Sequence, residues 1–180
     1  ALYAAGLNAL EIRETVDDLV ISAEDDWREI LFNKELGQIV DLVTPDLLHG
    51  SLLHVENFLK VLAGHLPVMK FRELRIPLVV VAADYWSHQQ VVLKKGDLLQ
   101  AIGASAALPG LFKPAKLGKR LLIDGGMVNP VPFDLLVDEC DIVIAVDVSG
   151  TRTPVERPNG PPVLENIFTA FQILQQTILK

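Results

Sequence analysis

An aspartate followed by two glycines, Asp124-Gly125-Gly126, closes the apolar run Leu121-Leu122-Ile123. A carboxylate so placed is carried by a strand into a turn, where α/β enzymes keep their reacting groups. The two glycines let backbone approach the acid closely and can adopt positive φ, while Asn129-Pro130 and Pro132 stiffen the exit. Two roles fit this acid. It caps its own glycine turn, or it serves as a general base, because Leu121, Leu122, Ile123, Met127 and Val128 surround it with apolar sequence and desolvation raises a carboxylate's basicity.

The other reactive side chains form weaker patterns. Gly103-Ala104-Ser105-Ala106-Ala107 nearly spells a nucleophile elbow, but an elbow needs a strand before it and a glycine after it. Here residues 97–102 have helical spacing and position 107 is alanine, so Ser105 is expected to be a structural serine beside the site rather than the nucleophile. Asp84 ends an apolar run and either braces the site from behind or caps the turn that follows. His49, His54 and His65 lie five and eleven residues apart, not at the helical spacing of a metal pair, and His88 stands alone; no metal site is expected. Asp147-Val148-Ser149-Gly150 lacks the second aspartate of an aspartyl phosphotransferase. Cys140, the single cysteine, cannot form an internal disulfide and is expected to be packed beside the apolar run 142–146.

The elements that must position Asp124 read as an alternation of strands and helices. Leu2, Tyr3, Leu7, Leu10 and Ile12 predict a buried helix over 1–16, broken or closely packed at Gly6, and Ser22 starts a second helix ending near Gly37. Leucines and Phe58 at helical spacing predict a helical middle over 46–64, as core or as a wall over the site. Residues 76–83 predict a central strand, 90–93 a second strand in a hairpin with it, and Gly96-Asp97 the opening of a helix. A run of small residues over 101–107 predicts close packing of that helix. Pro132 opens a helix over 133–139, and 141–148 reads as a buried strand. Residues 151–162 are proline-rich and predict a loop. Beyond them, Phe168, Phe171, Leu174 and Ile178 mark an amphipathic helix over 163–180, suited to core packing or to a homo-oligomer contact.

Asp124-Gly125-Gly126 with Asn129-Pro130-Val131-Pro132, preceded by Ala104-Ser105-Ala106-Ala107-Leu108-Pro109-Gly110-Leu111-Phe112-Lys113-Pro114, resembles the patatin-like phospholipase family. That family shows Asp-Gly-Gly or Asp-Gly-Ala followed by Asn-x-Pro, and upstream an Ala-Ser-x-Ala-x-Pro-Gly-x-Phe-x-Pro segment. The looser similarity runs from residue 1 to about residue 150, so 1–150 is expected to be the patatin-like domain. The resemblance implies a three-layer α/β fold with a central, mostly parallel sheet flanked by helices. It implies a lipid acyl hydrolase working by a Ser-Asp dyad without a cofactor, in which Asp124 is the base and Gly125, Gly126 and Asn129 support its loop. The family's Gly-x-Ser-x-Gly elbow and glycine-rich oxyanion loop precede this region. Ala1-Leu2-Tyr3-Ala4-Ala5-Gly6 looks like the tail of the elbow helix, so the sequence reads as a piece truncated at its N-terminus and inactive alone. The alternative of a different class is a non-catalytic lipid-binding or protein-interaction module on the same fold.

Composition narrows the partners. The 180 residues carry a net charge of −7 with no run of Lys or Arg longer than a pair, which argues against nucleic acid. The longest apolar run, 77–83, is far short of the ~20 residues that cross a bilayer, so membrane contact is expected to be peripheral. A phospholipid or other lipid ester is the expected substrate, and a cytoplasmic location, peripheral to membrane, the expected setting.

Overall fold

A computed structural model describes residues 1–17, 55–110, 112–148 and 163–179. The helix expected from Ser22, most of the helical middle up to residue 54 with His49 and His54, and the proline-rich 151–162 lie outside these residues.

Four strands form the sheet: β1 (Val80–Asp84), β2 (Gln90–Leu93), β3 (Ala115–Leu117) and β4 (Arg120–Asp124), in the order β2-β1-β4-β3. All three pairings are antiparallel. This corrects the expected mostly parallel sheet for the described residues. The local cause is connection length. Two pairs are tight hairpins, β1–β2 through residues 85–89 and β3–β4 through Gly118-Lys119, whereas a parallel pair needs a crossover of a dozen or more residues. Gly118 supplies the positive φ (61°) of the second hairpin.

The helices are α1 (Leu2–Ala5), a helical run over 9–17 (α2), α3 (Val55–His65), α4 (Leu98–Ser105) and α5 (Val163–Ile178). Gly6, at φ 107°, ends α1, so this glycine is a break. Asn8 then opens α2: its Oδ1 accepts from the Leu10 and Glu11 N–H groups at 2.9 and 3.1 Å, and its own N–H donates to Glu11 Oε2 at 2.7 Å. Tyr3 and Leu10, expected in the core of one continuous helix, are exposed, and the break at Gly6 divides that helix between them.

Helix α4 organises the core. Asp97 caps it, its Oδ1 accepting from Gln100 N–H at 2.8 Å. Its small residues permit the close approach expected of them. Ala104 and Ala107 are fully buried, and a Cβ on Gly103 would lie 2.7 Å from Leu59 Cδ1 on α3. One side of α4 joins Leu62, Leu66, Phe71 and Ala5 in one cluster, and Ala104 joins Ala82, Val91 and Leu122 of the sheet in another.

Three expected elements differ. The strand expected over 76–83 starts only at Val80; Ile76 and Pro77 are exposed, and the Ile76 N–H donates to Ala4 O outside the sheet. In place of a helix over 133–139 there is a single 3-10 turn, Phe133–Leu135, followed by further turns. Residues 141–148 form no strand. Ile142, Ile144, Val146 and Val148 are 70–89% exposed, because no described strand pairs with this segment. Cys140, expected to be packed, is exposed along with the segment it precedes.

Candidate active site

Asp124 is the last residue of β4, directly opposite Ala82 of the central strand β1. Strand periodicity puts it on the face of Leu122, which is fully buried. Its N–H donates to Ala107 O at 3.0 Å, so the small-residue segment after α4 is bonded directly to the acid's backbone. Its Oδ1 accepts from Gly126 N–H at 2.7 Å. Burial pushes the carboxyl above the ordinary aspartate range, and the Gly126 bond opposes that shift without cancelling it.

Both glycines lie where a side chain would meet a neighbour, backbone at Gly125 and the end of a flexible side chain at Gly126. Neither adopts positive φ, which corrects one of the two reasons expected for them. A Cβ on Gly125 would overlap the Val81 carbonyl, whose carbon would lie 2.6 Å away. A Cβ on Gly126 would overlap Gln175 Nε2 of α5 and come within 3.0 Å of Asp124 Oδ1. The turn is therefore pressed against β1 on one side and covered by α5 on the other.

Asn129 closes the loop. Its N–H donates to Gly125 O at 2.9 Å, beside the Val128 N–H at 3.1 Å. Its Nδ2 donates to Gln90 Oε1 of β2 at 2.8 Å and to Asp134 Oδ1 at 2.7 Å. One side chain thus ties the acid's loop to the neighbouring hairpin and to the turn after the prolines. Gln90, Asp134 and Gln175 were missed by sequence reasoning. They lie far from Asp124 in sequence or carry no motif, and only the fold reveals their contacts.

Asp84 pairs with Leu122, two positions along β1 from Ala82. Its Oδ1 accepts from the Ser87 and Trp86 N–H groups at 2.9 and 3.1 Å, and the Ser87 bond is the main reason its carboxyl sits below the usual range. Those bonds occupy it in the turn. Ser105 ends α4, half-buried, after a helix rather than a strand, and no hydrogen bond joins it to Asp124. His65 ends α3 and His88 sits in the β1–β2 turn at φ 57°. Among the described residues, no three His, Cys, Asp or Glu side chains are grouped to hold a metal.

Two comparisons bear on this arrangement. The patatin-like phospholipase family model matches residues 1–137, covering the small-residue segment and the Asp124 loop together. An uncharacterized NTE family protein of Mycobacterium bovis is 31% identical over 138 residues, which is 76% of this chain and 38% of the relative; a Mycobacterium tuberculosis counterpart matches equally. A second uncharacterized NTE family protein of Mycobacterium tuberculosis is 29% identical over 120 residues, 54% of this chain and 21% of that relative. The chain thus spans well under half the length of the relatives it matches. With the acid, its glycine turn and its asparagine clasp assembled in one place, the chain belongs to the patatin-like phospholipase family.

Proposed function

We propose that the protein is a lipid acyl hydrolase in which Asp124 is the general base of a Ser-Asp dyad. The observation that carries this reading is the Asp124 carboxylate itself. It is immobilised by Gly126 N–H at 2.7 Å, yet desolvated enough that its pKa is raised. A base held still and made more basic by its surroundings suits proton transfer at near-neutral pH. A carboxylate that only capped its turn would be expected to have its pKa lowered, as at Asp84.

In the proposed reaction Asp124 takes the proton of a serine hydroxyl while the serine oxygen attacks the ester carbonyl carbon. The tetrahedral intermediate expels the lipid alcohol, which leaves with the proton from Asp124. Water then loses a proton to Asp124 and attacks the acyl-serine; the fatty acid departs and the proton returns to the serine. Among the described residues no serine is hydrogen-bonded to Asp124, and the relatives are more than twice as long as the matched region. Following the family pattern, in which the elbow and the oxyanion loop precede this region, the nucleophile and oxyanion donors are proposed to come from chain outside these 180 residues.

Labelling with a fluorophosphonate probe, followed by peptide mapping, tests the assignment on this chain and on a longer one with additional N-terminal residues. Labelling in the longer chain alone, reduced on Asp124→Asn replacement, is the expected result. A label on Ser105 in the shorter chain would overturn it.

A further inference from the structure

We infer that the cleft between the segment Lys70–Arg75 and the exit of β2 at Lys94-Lys95 is a site for the phosphate head group of an anionic lipid in a membrane surface. This rests on the lipid-directed reading above, but the site is separate from Asp124.

The cleft has a volume of about 820 Å³ and is lined by Lys70, Arg72, Arg75, Lys94 and Lys95, all exposed. In sequence these cations are one pair, Lys94-Lys95, and three residues within the stretch 70–75. The backbone brings them together. Lys70 and Asp97 form an antiparallel bridge, Phe71 N–H donates to Gly96 O at 3.3 Å, and Leu98 N–H donates to Met69 O at 2.8 Å. The two walls are thereby held at fixed separation by main-chain bonds, and the lysines and arginines face a common space.

The cleft's own carboxylates are already engaged. Asp97 caps α4, and Glu139 lies 3.6 Å from Lys94. Arg72 has Glu73 at 3.8 Å. Lys70, Arg75 and Lys95 have no carboxylate partner among the described residues. A cationic surplus is thus concentrated in one cleft of a chain whose net charge is −7. Long nucleic acids need cations spread along a path and would be repelled by the acidic remainder. One phosphate needs only a cluster.

The apolar part of the lining selects a lipid over a small soluble anion. Phe71, which is buried, and Leu74, Pro77 and Leu78 line the same cleft as the cations. Cations and apolar carbon side by side match a phosphate head group together with the first methylenes of its chains.

Sedimentation with phospholipid vesicles tests this without requiring turnover, so its outcome is independent of whether Asp124 is a catalytic base. The 180-residue chain is mixed with vesicles of phosphatidylcholine alone or with phosphatidylglycerol added. Binding is expected only with the anionic lipid, and to weaken as salt is raised. Lys94→Glu with Lys95→Glu should lower that binding by at least about 30-fold, the loss expected from removing two lysines alone. Lys116→Glu with Lys119→Glu, on the β3–β4 hairpin, should change it less than about twofold at matched folding by circular dichroism. Lys70→Glu with Arg72→Glu gives a second test from the opposite wall. No binding to either vesicle, equal binding to both, or equal loss in cleft and hairpin variants would overturn the inference. Displacement by millimolar inorganic phosphate would also overturn it, by assigning the cleft to a soluble anion.

Discussion

Gly125→Ala is the sharpest test of how the acid's turn is held. The added methyl would overlap the carbonyl oxygen of Val81, with the carbonyl carbon at 2.6 Å and Val81 Cγ1 at 3.1 Å. Overpacking a core costs about 1–3 kcal/mol when side chains can yield. Here the obstacle is the backbone of β1, which pairs with strands on both sides, so the cost should lie at the upper end, about 3 kcal/mol. For a chain of this size that corresponds to a fall in Tm of roughly 6–12 °C. The contrast lies at two other glycines. Gly126→Ala displaces the end of a flexible glutamine and should cost under about 1 kcal/mol. Gly64→Ala, in α3 with open space around it, should be neutral or stabilising by up to about 1 kcal/mol. Thermal and urea unfolding of the three variants, followed by circular dichroism, gives the ranking. Gly125→Ala within about 0.5 kcal/mol of the parent would refute the claim that the turn is pressed against β1.

Because burial raises the Asp124 pKa above its unfolded value, the folded protein holds this proton more tightly than the unfolded chain. Its contribution to stability is most favourable at low pH and declines as pH rises through the raised pKa. Asp124→Asn, which keeps an oxygen to accept from Gly126 N–H, should therefore be more stable than the parent at pH 7, with the advantage shrinking in acid; an advantage that grows in acid would contradict this. Asn129→Asp removes two donated hydrogen bonds and sets a carboxylate against Asp134, so it should cost about 2 kcal/mol in urea unfolding, since each such bond is worth about 1 kcal/mol. Asn129→Ala should cost less, and the reverse order would count against the clasp. The exposed Cys140 should react with a thiol reagent such as dithionitrobenzoate without denaturant; labelling only after unfolding would show that it is covered.

Local chemistry was legible where a short segment decides its own conformation. The β1–β2 hairpin, the cap at Asp97, the break at Gly6 and the close packing of α4 follow from residue types at adjacent positions. The strand expected at 141–148 did not form. Its run of β-branched residues specifies a conformation but not a partner, and the described residues provide none. The antiparallel pairing of β1 with β2 was legible as a hairpin, but β3, its hairpin with β4 and the pairing of β4 with β1 were not, since three residues at 115–117 carry no strand pattern and a pairing across distant sequence leaves no local signal. At the candidate site, the motif singles out Asp124 and its glycines, but the reason for Gly125 is distance to Val81 rather than φ. Gln90, Asp134 and Gln175 depend on tertiary proximity. The basic cleft was hidden in the same way, its cations coming from two walls that meet only in the fold.

What sets the acid's position is the register of β4 against β1. A strand's side chains alternate faces, so a slip of one residue would carry Asp124 and Leu122 together to the opposite side of the sheet. Leu122 is fully buried against Ala82 and Ala104, and a slip would expose it while forcing its neighbour Leu121 or Ile123 into a space bounded by alanines. The bond from Asp124 N–H to Ala107 O adds a second restraint from outside the sheet, fixing the end of β4 to the residue two places beyond α4. Gly125 then completes the placement by letting the chain turn in contact with Val81. The small residues from Ala101 to Ala107 and the glycine turn are separate stretches of sequence, but they act on one object. The first allows α4 to lie close enough to the sheet to lock the register, and the second allows the chain to turn within that close packing while the carboxylate stays half-buried at its end.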